Sequence, residues 1–450
     1  VSRWLLPAIA LGTTLAPLNS TMIAVALPEI RDAFGVSVTA TTLLVTLYLV
    51  AMAAGQPVGG RLGDLYGRRR VYLIGLVWFG IASAGCAFAP NLEWLIVFRT
   101  QQALAGTLSF PNGAAMVREA VPVERRATAF GMIGLATGIA AASGPPLGGA
   151  LVHLFGWSAI FWANVPVVGL ALVLGWRSLP RILPVRTERP RFDVAGTVLF
   201  AAALSAVIAI PALLKAGLPL AAIGAGMLGA ALGVAFVWWE QRANGPVVDI
   251  RLFRNHHFAA ACATVGLSNL VMYTTLLALP LYLEEVRDQG VQKAGLVLAA
   301  MSIFSALLGP MSGRWTDRTG RWLPAVAGSG ISLAGAVMLA IVIPGTSLTP
   351  IVLALVVTGV GLGISMAPVQ TAAMEAVPMG RTGSAAGIFS TSRYLGSVVG
   401  STVLAAIFTG QVATETESRY IMLFAGLALV ALAAVFTSAK VADRRHGAQS

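Results

Sequence analysis

Apolar residues in this chain gather into long runs, and the polar residues collect in short stretches between them. The runs fall at approximately residues 4–27, 39–58, 71–89, 94–116, 127–151, 158–176, 194–214, 219–239, 258–283, 294–310, 323–343, 349–373, 384–409 and 420–438. A bilayer core about 30 Å thick is crossed by roughly 20 apolar residues in a helix. The pattern therefore predicts fourteen membrane-spanning helices. The central pair decides between twelve and fourteen. Residues 194–214 and 216–239 are charge-free runs of 21 and 24 residues, which a soluble linker would not contain.

Composition agrees with this pattern. Hydrophobic residues make up 57% of the 450, only 11% are charged, and the mean hydropathy is +0.81; a soluble domain carries about 25% charged residues. The 49 glycines and 23 prolines lie within apolar runs, as membrane helices tolerate. The net charge of +12 sits in short clusters between runs, which argues against nucleic-acid binding and for the bias of basic residues to cytoplasmic loops. With the N-terminus inside, twenty-three of the 30 Lys and Arg fall in inside loops and tails, among them Arg186, Arg189, Arg191, Arg444 and Arg445. Five fall outside and two, Arg99 and Arg393, lie within spans. Both termini are thus expected inside. Cys86 and Cys262 lie in apolar stretches and imply no disulfide. Val1 stands where methionine is expected; a GTG start read literally would account for it and fits a bacterial gene. The first run is too long for a signal-peptide core and is expected to be a retained span. No metal spacing, nucleophile–base pair or phosphate loop is visible, so no enzymatic role or cofactor is expected.

The chain also repeats itself. Gly60-Arg61-Leu62-Gly63-Asp64-Leu65-Tyr66-Gly67-Arg68 after span 2 matches Gly313-Arg314-Trp315-Thr316-Asp317-Arg318-Thr319-Gly320-Arg321 after span 10, at an offset of 253. Glu119-Ala120-Val121-Pro122 matches Glu375-Ala376-Val377-Pro378 at an offset of 256. Two matches at nearly one offset argue for duplicated halves, an arrangement that usually encloses a midplane substrate site.

These motifs carry a resemblance. G-x-x-x-D-x-x-G-R between spans 2 and 3 looks like the signature loop of the major facilitator superfamily. Leu18-Asn19-Ser20-Thr21 through Ala26-Leu27-Pro28 is similar to the first-span motif of its fourteen-span drug:proton antiporter branch. Gly144-Pro145-Pro146-Leu147-Gly148-Gly149 resembles the antiporter motif of span 5, and Gly156-Trp157 with Asn164-Val165-Pro166 resembles that branch's entry into span 6. The resemblance implies an all-α polytopic fold with two six-helix lobes and two extra central helices. The lobes would be residues 1–178 and 246–450, joined by a linker at 179–245.

The resemblance also implies roles. Gly60, Arg61, Asp64, Gly67 and Arg68, with Asp317, Arg318 and Arg321 in the second copy, would gate the cytoplasmic side; the alternative is a basic turn that only fixes topology. Gly63 and Gly67 would permit a tight turn, and Asp64 would accept from N–H groups at a helix start or from a guanidinium. Gly131, Gly134, Gly138, Ala141, Pro145 and Gly149 would share one face of span 5, a packing seam. With Gly144 and Gly148 it would favour exchange over leak. Arg99, Gln102 and Gly106 resemble the family's R-x-x-Q-G motif, although Ala103 replaces a glycine; Arg99 is expected either to serve the substrate or proton path or to snorkel outward. Arg393, on a face with Gly396 and Gly400, is expected to face the cavity or to bond backbone carbonyls. Gln56, Asn112, Asn164, Asn269, Tyr273 and Gln370 are further pathway candidates, with bonding across helices as the alternative.

One departure bears on mechanism. The branch usually has Asp where this chain has Asn19, which cannot titrate. None of the 18 acidic residues lies deep in a span. Glu284 and Glu285, at the outer end of span 9, are the remaining titratable candidates. Arginines without a carboxylate disfavour cations and point to neutral or anionic amphipathic substrates. The expected function is secondary export of drugs or metabolites, driven by the proton gradient, by a monomer in a bacterial cytoplasmic membrane. A facilitator or uptake system without buried-carboxylate coupling is the alternative, and a membrane-embedded lipid-handling protein a remote one.

Overall fold

The computed structural model describes residues 3–181, 193–243, 245–287, 291–343, 347–408 and 416–441. The loop arginines Arg186, Arg189, Arg191, Arg444 and Arg445 lie outside the described residues, as do the side chains of Glu284 and Glu285 and of a few other helix-end positions. The regular elements described are all helical. The first half of the chain holds α1 (Leu5–Phe34), α2 (Val38–Tyr66), α3 (Arg68–Ala87), α4 (Leu92–Gly106), α5 (Phe110–Ala120), α6 (Arg126–Phe155), α7 (Ala159–Trp162) and α8 (Asn164–Ser178). A pair follows, α9 (Val194–Lys215) and α10 (Pro219–Glu240). The second half holds α11 (His256–Glu285), α12 (Val291–Thr319), α13 (Trp322–Val342), α14 (Leu348–Glu375), α15 (Thr382–Phe408) and α16 (Thr416–Ser438).

Local chemistry sets many boundaries. Gly35, at φ 63°, closes α1 with its N–H on the Arg31 carbonyl, and Ser37 opens α2 by accepting from the Ala40 N–H. Asn91, Asp193, Asn255 and Ser347 cap α4, α9, α11 and α14 in the same way. Each such side chain satisfies an N–H that the first helical turn leaves free.

Twelve of the described helices are long and apolar enough to cross a membrane. Two of the fourteen predicted spans fall outside that dozen. The run at 94–116 is two helices, because the chain turns at Thr107–Ser109 and Pro111 at the start of α5 supplies no N–H to continue α4. The run at 384–409 is α15, whose Arg393 and many Ser, Thr and Gly residues hold down its apolarity. The motif expected as a loop at 60–70 is also different. Gly60 to Tyr66 continue α2, and Gly67, at φ 94°, is the single non-helical residue before α3. Gly63 therefore sits within a helix, pressed against the Asn112 side chain, and makes no turn. The second copy behaves alike: α12 runs to Thr319 and the chain bends at Gly320, φ 98°.

Within the first half, α1 packs on α6 and α8, and α3 on α4 and α8. Within the second, α14 lies between α12 and α13, and α11 lies against α15 and α16. The halves meet along two seams, α2 on α15 and α6 on α12. α9 lies against both α2 and α15, and α10 packs chiefly on α9. These two helices are apolar all round and largely exposed, as expected where the solvent is lipid.

The seams are built from small residues. A Cβ at Gly60 would strike the Gly383 carbonyl, and one at Gly131 the Gly309 carbonyl. Gly138 faces Ala306 of α12. Gly144 and Gly148, by contrast, face α1 at Thr21 and Met22. The single-face seam expected on span 5 is therefore two faces. The inter-half contact uses Gly131 and Gly138, the intra-half contact uses Gly144 and Gly148, and Gly134 faces open space. α6 runs unbroken through Pro145 and Pro146. Without a hydrophobic force between helices in lipid, such close approach supplies the packing. Overpacking costs typically 1–3 kcal/mol, so Gly131→Leu is expected to lower the melting temperature of the purified protein. Gly134→Leu should leave it unchanged, as fluorescence-detected thermal unfolding would show.

Candidate functional site

Two places gather polar groups that the lipid-facing surface lacks. The first lies where the basic loops meet. Asp64, near the end of α2, accepts from the Gly383 N–H at 2.9 Å, the Ser384 N–H at 2.8 Å and the Ser384 hydroxyl at 2.9 Å. Those residues form the first turn of α15, in the other half. Asp317, near the end of α12, accepts from the Ala127 N–H at 3.1 Å, the Thr128 N–H at 2.9 Å and the Thr128 hydroxyl at 2.6 Å. These open α6, back in the first half. Each carboxylate thus neutralises the positive end of a helix that belongs to the opposite half. The residues correspond at the offsets of the sequence repeat.

Ion pairs involve Asp64 directly and, in the second copy, residues beside the Asp317 cap. Arg68 donates to Asp64 at 3.0 Å, pairs with Glu119 and donates to the Met379 carbonyl at 2.8 Å. Arg321 pairs with Glu375, the counterpart of Glu119, and Arg126 reaches the same Glu375 at 3.2 Å. Arg118 adds a bond without a counterpart, donating to the Thr382 hydroxyl and the Val377 carbonyl, both at 2.6 Å; Met374 stands at its repeat position. Burial holds the Glu119 carboxyl above its usual range, against the opposing pull of Arg68 and Arg118 and with the help of Asp64. Burial likewise lowers Arg118 to about 10. Of the residues expected here, Asp64, Arg68, Asp317 and Arg321 make these bonds and Gly60 and Gly67 shape the approach. Arg318 is exposed and, like Arg61, takes no part in them. Arg118, Glu119, Arg126 and Glu375 were missed, although the repeated Glu-Ala-Val-Pro marked two of them.

The second place lies inside the bundle. Arg99 is 1% exposed, which excludes snorkelling. It donates to Gln102 Oε1 at 2.5 Å and to the Asn19 carbonyl at 3.4 Å, and its guanidinium lies 4.0 Å from the centre of the Tyr48 ring. Gln102 in turn donates to the Ser83 hydroxyl at 2.7 Å. One arginine therefore ties α4 to α1, α2 and α3. Across the seam, Arg393 on α15 lies 4.9 Å from the Phe110 ring of α5 and 5.6 Å from that of Tyr394. Tyr394 packs against the cluster that holds Tyr48, so the two arginines have neighbouring aromatic partners across the halves, and Tyr273 lies on α11. Gly396 and Gly400, expected beside Arg393, pack instead against α11.

The remaining candidates divide. Asn112 donates to the Gly59 and Leu108 carbonyls, Asn164 to Ile160 and Asn269 to Val265. These are structural bonds to helix carbonyls. Gln56 and Asn19 are fully buried, and among the described residues their side-chain amides have no hydrogen-bond partner. Gln370 is buried on α14. Tyr48, Phe110 and Tyr394 escaped notice because aromatic residues are ordinary in apolar runs and only the fold brings them to the arginines. The interior thus sets two arginines among aromatic rings, Arg99 fully buried and Arg393 partly so; groups of this kind hold aromatic or anionic partners by stacking, cation–π contact and hydrogen bonding.

A profile described as Major Facilitator Superfamily matches residues 9–401. The chain is 33% identical over 420 residues to multidrug resistance protein Stp of Mycobacterium tuberculosis, covering 91% of this chain and 76% of that one. It is 28% identical over 413 residues to the riboflavin transporter RibZ of Clostridioides difficile, covering 90% and 88%. The crystal structure of the human organic anion transporter MFSD10 has the same fold, with a TM-score of 0.70 at 15% identity over 97% of this chain and 99% of that one.

The clasp makes two predictions. Hydrogen bonds to a charged group contribute about 1.5–3 kcal/mol each, so Asp64→Asn is expected to raise the population with parted halves about tenfold or more. Pulsed electron resonance between spin labels at the exposed positions Arg70→Cys and Arg254→Cys would read it; Cys86 and Cys262 are buried and stay unlabelled. Because Glu119 is raised in the closed clasp, that state binds a proton more tightly than a hydrated, open one. Its contribution is complete below the ordinary glutamate value and is lost as pH rises through the raised one. The closed population should therefore grow on acidification, and Glu119→Gln should remove that dependence.

Proposed function

The chain belongs to the Major Facilitator Superfamily and is a multi-pass membrane transporter, and from that premise we propose that it exports drug-like or amphipathic small molecules by alternating access. The observation that carries this reading is the duplicated clasp, in which Asp64 and Asp317 each hold the first turn of a helix from the other half. Bonds of this kind, confined to one face of the bundle, form a gate. Their closure favours a cavity that opens at the opposite face. The excess of basic residues on the clasp side assigns that side to the cytoplasm, so the state described is outward-facing. The bundle is then two lobes, residues 1–178 and 246–450, joined by the central pair at 179–245. It has fourteen crossings once α4 with α5 and α15 are included, both termini lie inside, and it works as a monomer in a bacterial cytoplasmic membrane. The packing of Gly144 and Gly148 of α6 against α1 supports the antiporter-type seam. The multidrug resistance protein among its relatives supports efflux.

The substrate meets Arg99, Arg393 and the tyrosines, with no carboxylate among the described residues in the middle of any span. Neutral or anionic aromatic solutes suit that surface, and lipophilic cations do not. A proton gradient is the natural drive for export. The buried Asn19 at the centre, which cannot carry a proton, favours a second reading, a facilitator without tight proton coupling.

Transport into proteoliposomes under an imposed pH gradient separates the two. Neutral, anionic and cationic aromatic solutes would be compared. The proposed exporter accumulates neutral or anionic solutes only with the gradient; rates indifferent to it favour the facilitator. Faster transport of the cations would contradict the substrate assignment. Arg393→Gln is expected to lower transport of the anionic solutes about tenfold with little effect on neutral ones. Arg99→Lys should fail to restore activity, since an ammonium cannot reproduce both the stacking on Tyr48 and the directed bond to Gln102.

A further inference from the structure

A groove of about 1100 Å³ runs along the outside of the first half between α3 and α8, away from the central arginines. One end is basic and the rest is apolar. Arg69, Arg70, Arg177 and Arg181 line the end at the clasp face, and Leu73, Val77, Trp78, Ile81 and Val173 line the remainder. Arg69 is fixed in place: it donates to the Trp176 carbonyl at 2.6 Å and lies 5.3 Å from the Trp176 ring. Arg70, Arg177 and Arg181 are exposed, and among the described residues no carboxylate pairs with any of the four.

We propose that this groove binds one anionic glycerophospholipid from the leaflet on the clasp side, its phosphate held by Arg70, Arg177 and Arg181 and an acyl chain laid along α3 and α8. Three observations fix that occupant. Four like charges line one end with no carboxylate paired to them among the described residues, which favours an anion. The charges stand at the ends of spanning helices, where headgroups lie. The apolar floor from Arg70 to Ile81 extends about 16 Å at 1.5 Å per residue, roughly the hydrocarbon depth of one leaflet. A soluble phosphate would use the arginines and leave three turns of apolar wall without purpose.

The test is native mass spectrometry of the full-length protein exchanged into equal mixtures of phosphatidylglycerol and phosphatidylcholine. The wild-type protein is expected to retain one phosphatidylglycerol with a preference of about tenfold or more, since each basic residue near an anionic surface contributes roughly fivefold. Arg70→Gln/Arg177→Gln/Arg181→Gln should bring that preference near unity. Arg251→Gln/Arg254→Gln, exposed on the same face but outside the groove, should keep it. Val77→Trp/Val173→Trp fills the apolar floor, leaves the arginines in place, and should release the lipid. No preference in the wild-type protein, or a preference that survives the triple substitution, would overturn the proposal. So would a lipid retained by the filled groove, or displaced equally well by inorganic phosphate or glycerol phosphate, because each outcome describes a phosphate site without a chain.

Discussion

The arrangement depends on a carboxylate held at the start of a helix from the opposite half. Lipid offers no hydrophobic force to bring two helical lobes together. Small residues let them pack closely, and what fixes their relative position is polar and directional, the paired caps of Asp64 on α15 and Asp317 on α6. A cap of this kind satisfies N–H groups that the helix leaves free and opposes its dipole. It is available only while the opposing helix presents its first turn, so it holds the lobes in one relative position and in no neighbouring one. Arg68 keeps the Asp64 cap within a charged network, and Arg321 pairs the neighbouring Glu375, which limits the penalty of burying these acids.

The interior follows another logic. Arg99 is buried without an acid beside it and is stabilised by an amide, a backbone carbonyl and an aromatic face. Its charge is therefore offset only in part, and the interior around it stays positive. Arg393 extends that positive region across the seam to Phe110. The polarity of the site is a property of what is absent as much as of what is present. Asn19, whose main-chain carbonyl Arg99 reaches, carries an amide and brings no charge to the site.

Much of this was legible in the sequence, in unequal measure. The duplicated motif gave Asp64 and Asp317 and their relation, because a repeat written in charged residues survives in a chain otherwise made of interchangeable apolar ones. It did not give their partners: Gly383, Ser384, Ala127 and Thr128 act through backbone N–H groups, which have no signature of their own. Arg321 and Arg318 differ by less than one turn, and only the packed helix shows which of them meets Glu375. The break at Thr107–Ser109 was hidden because hydropathy is blind to whether an apolar run is continuous. The glycines of α6 have a periodicity that fits one face, yet two neighbours at different heights, α12 and α1, divide it between them.

At several points the seam between the lobes is main chain against main chain. Gly60 meets Gly383, Gly131 meets Gly309, and Gly387 meets the main chain at Gln56. Such surfaces have no rotamers to settle when they meet and none to free when they separate. A joint lined with long side chains would have to re-sort them at every passage, and each re-sorting adds roughness to the path. A joint of main-chain atoms presents the same face each time. Where the lobes meet in this way few side chains need re-sorting, and the charged clasps at one end are left as the directional bonds between them.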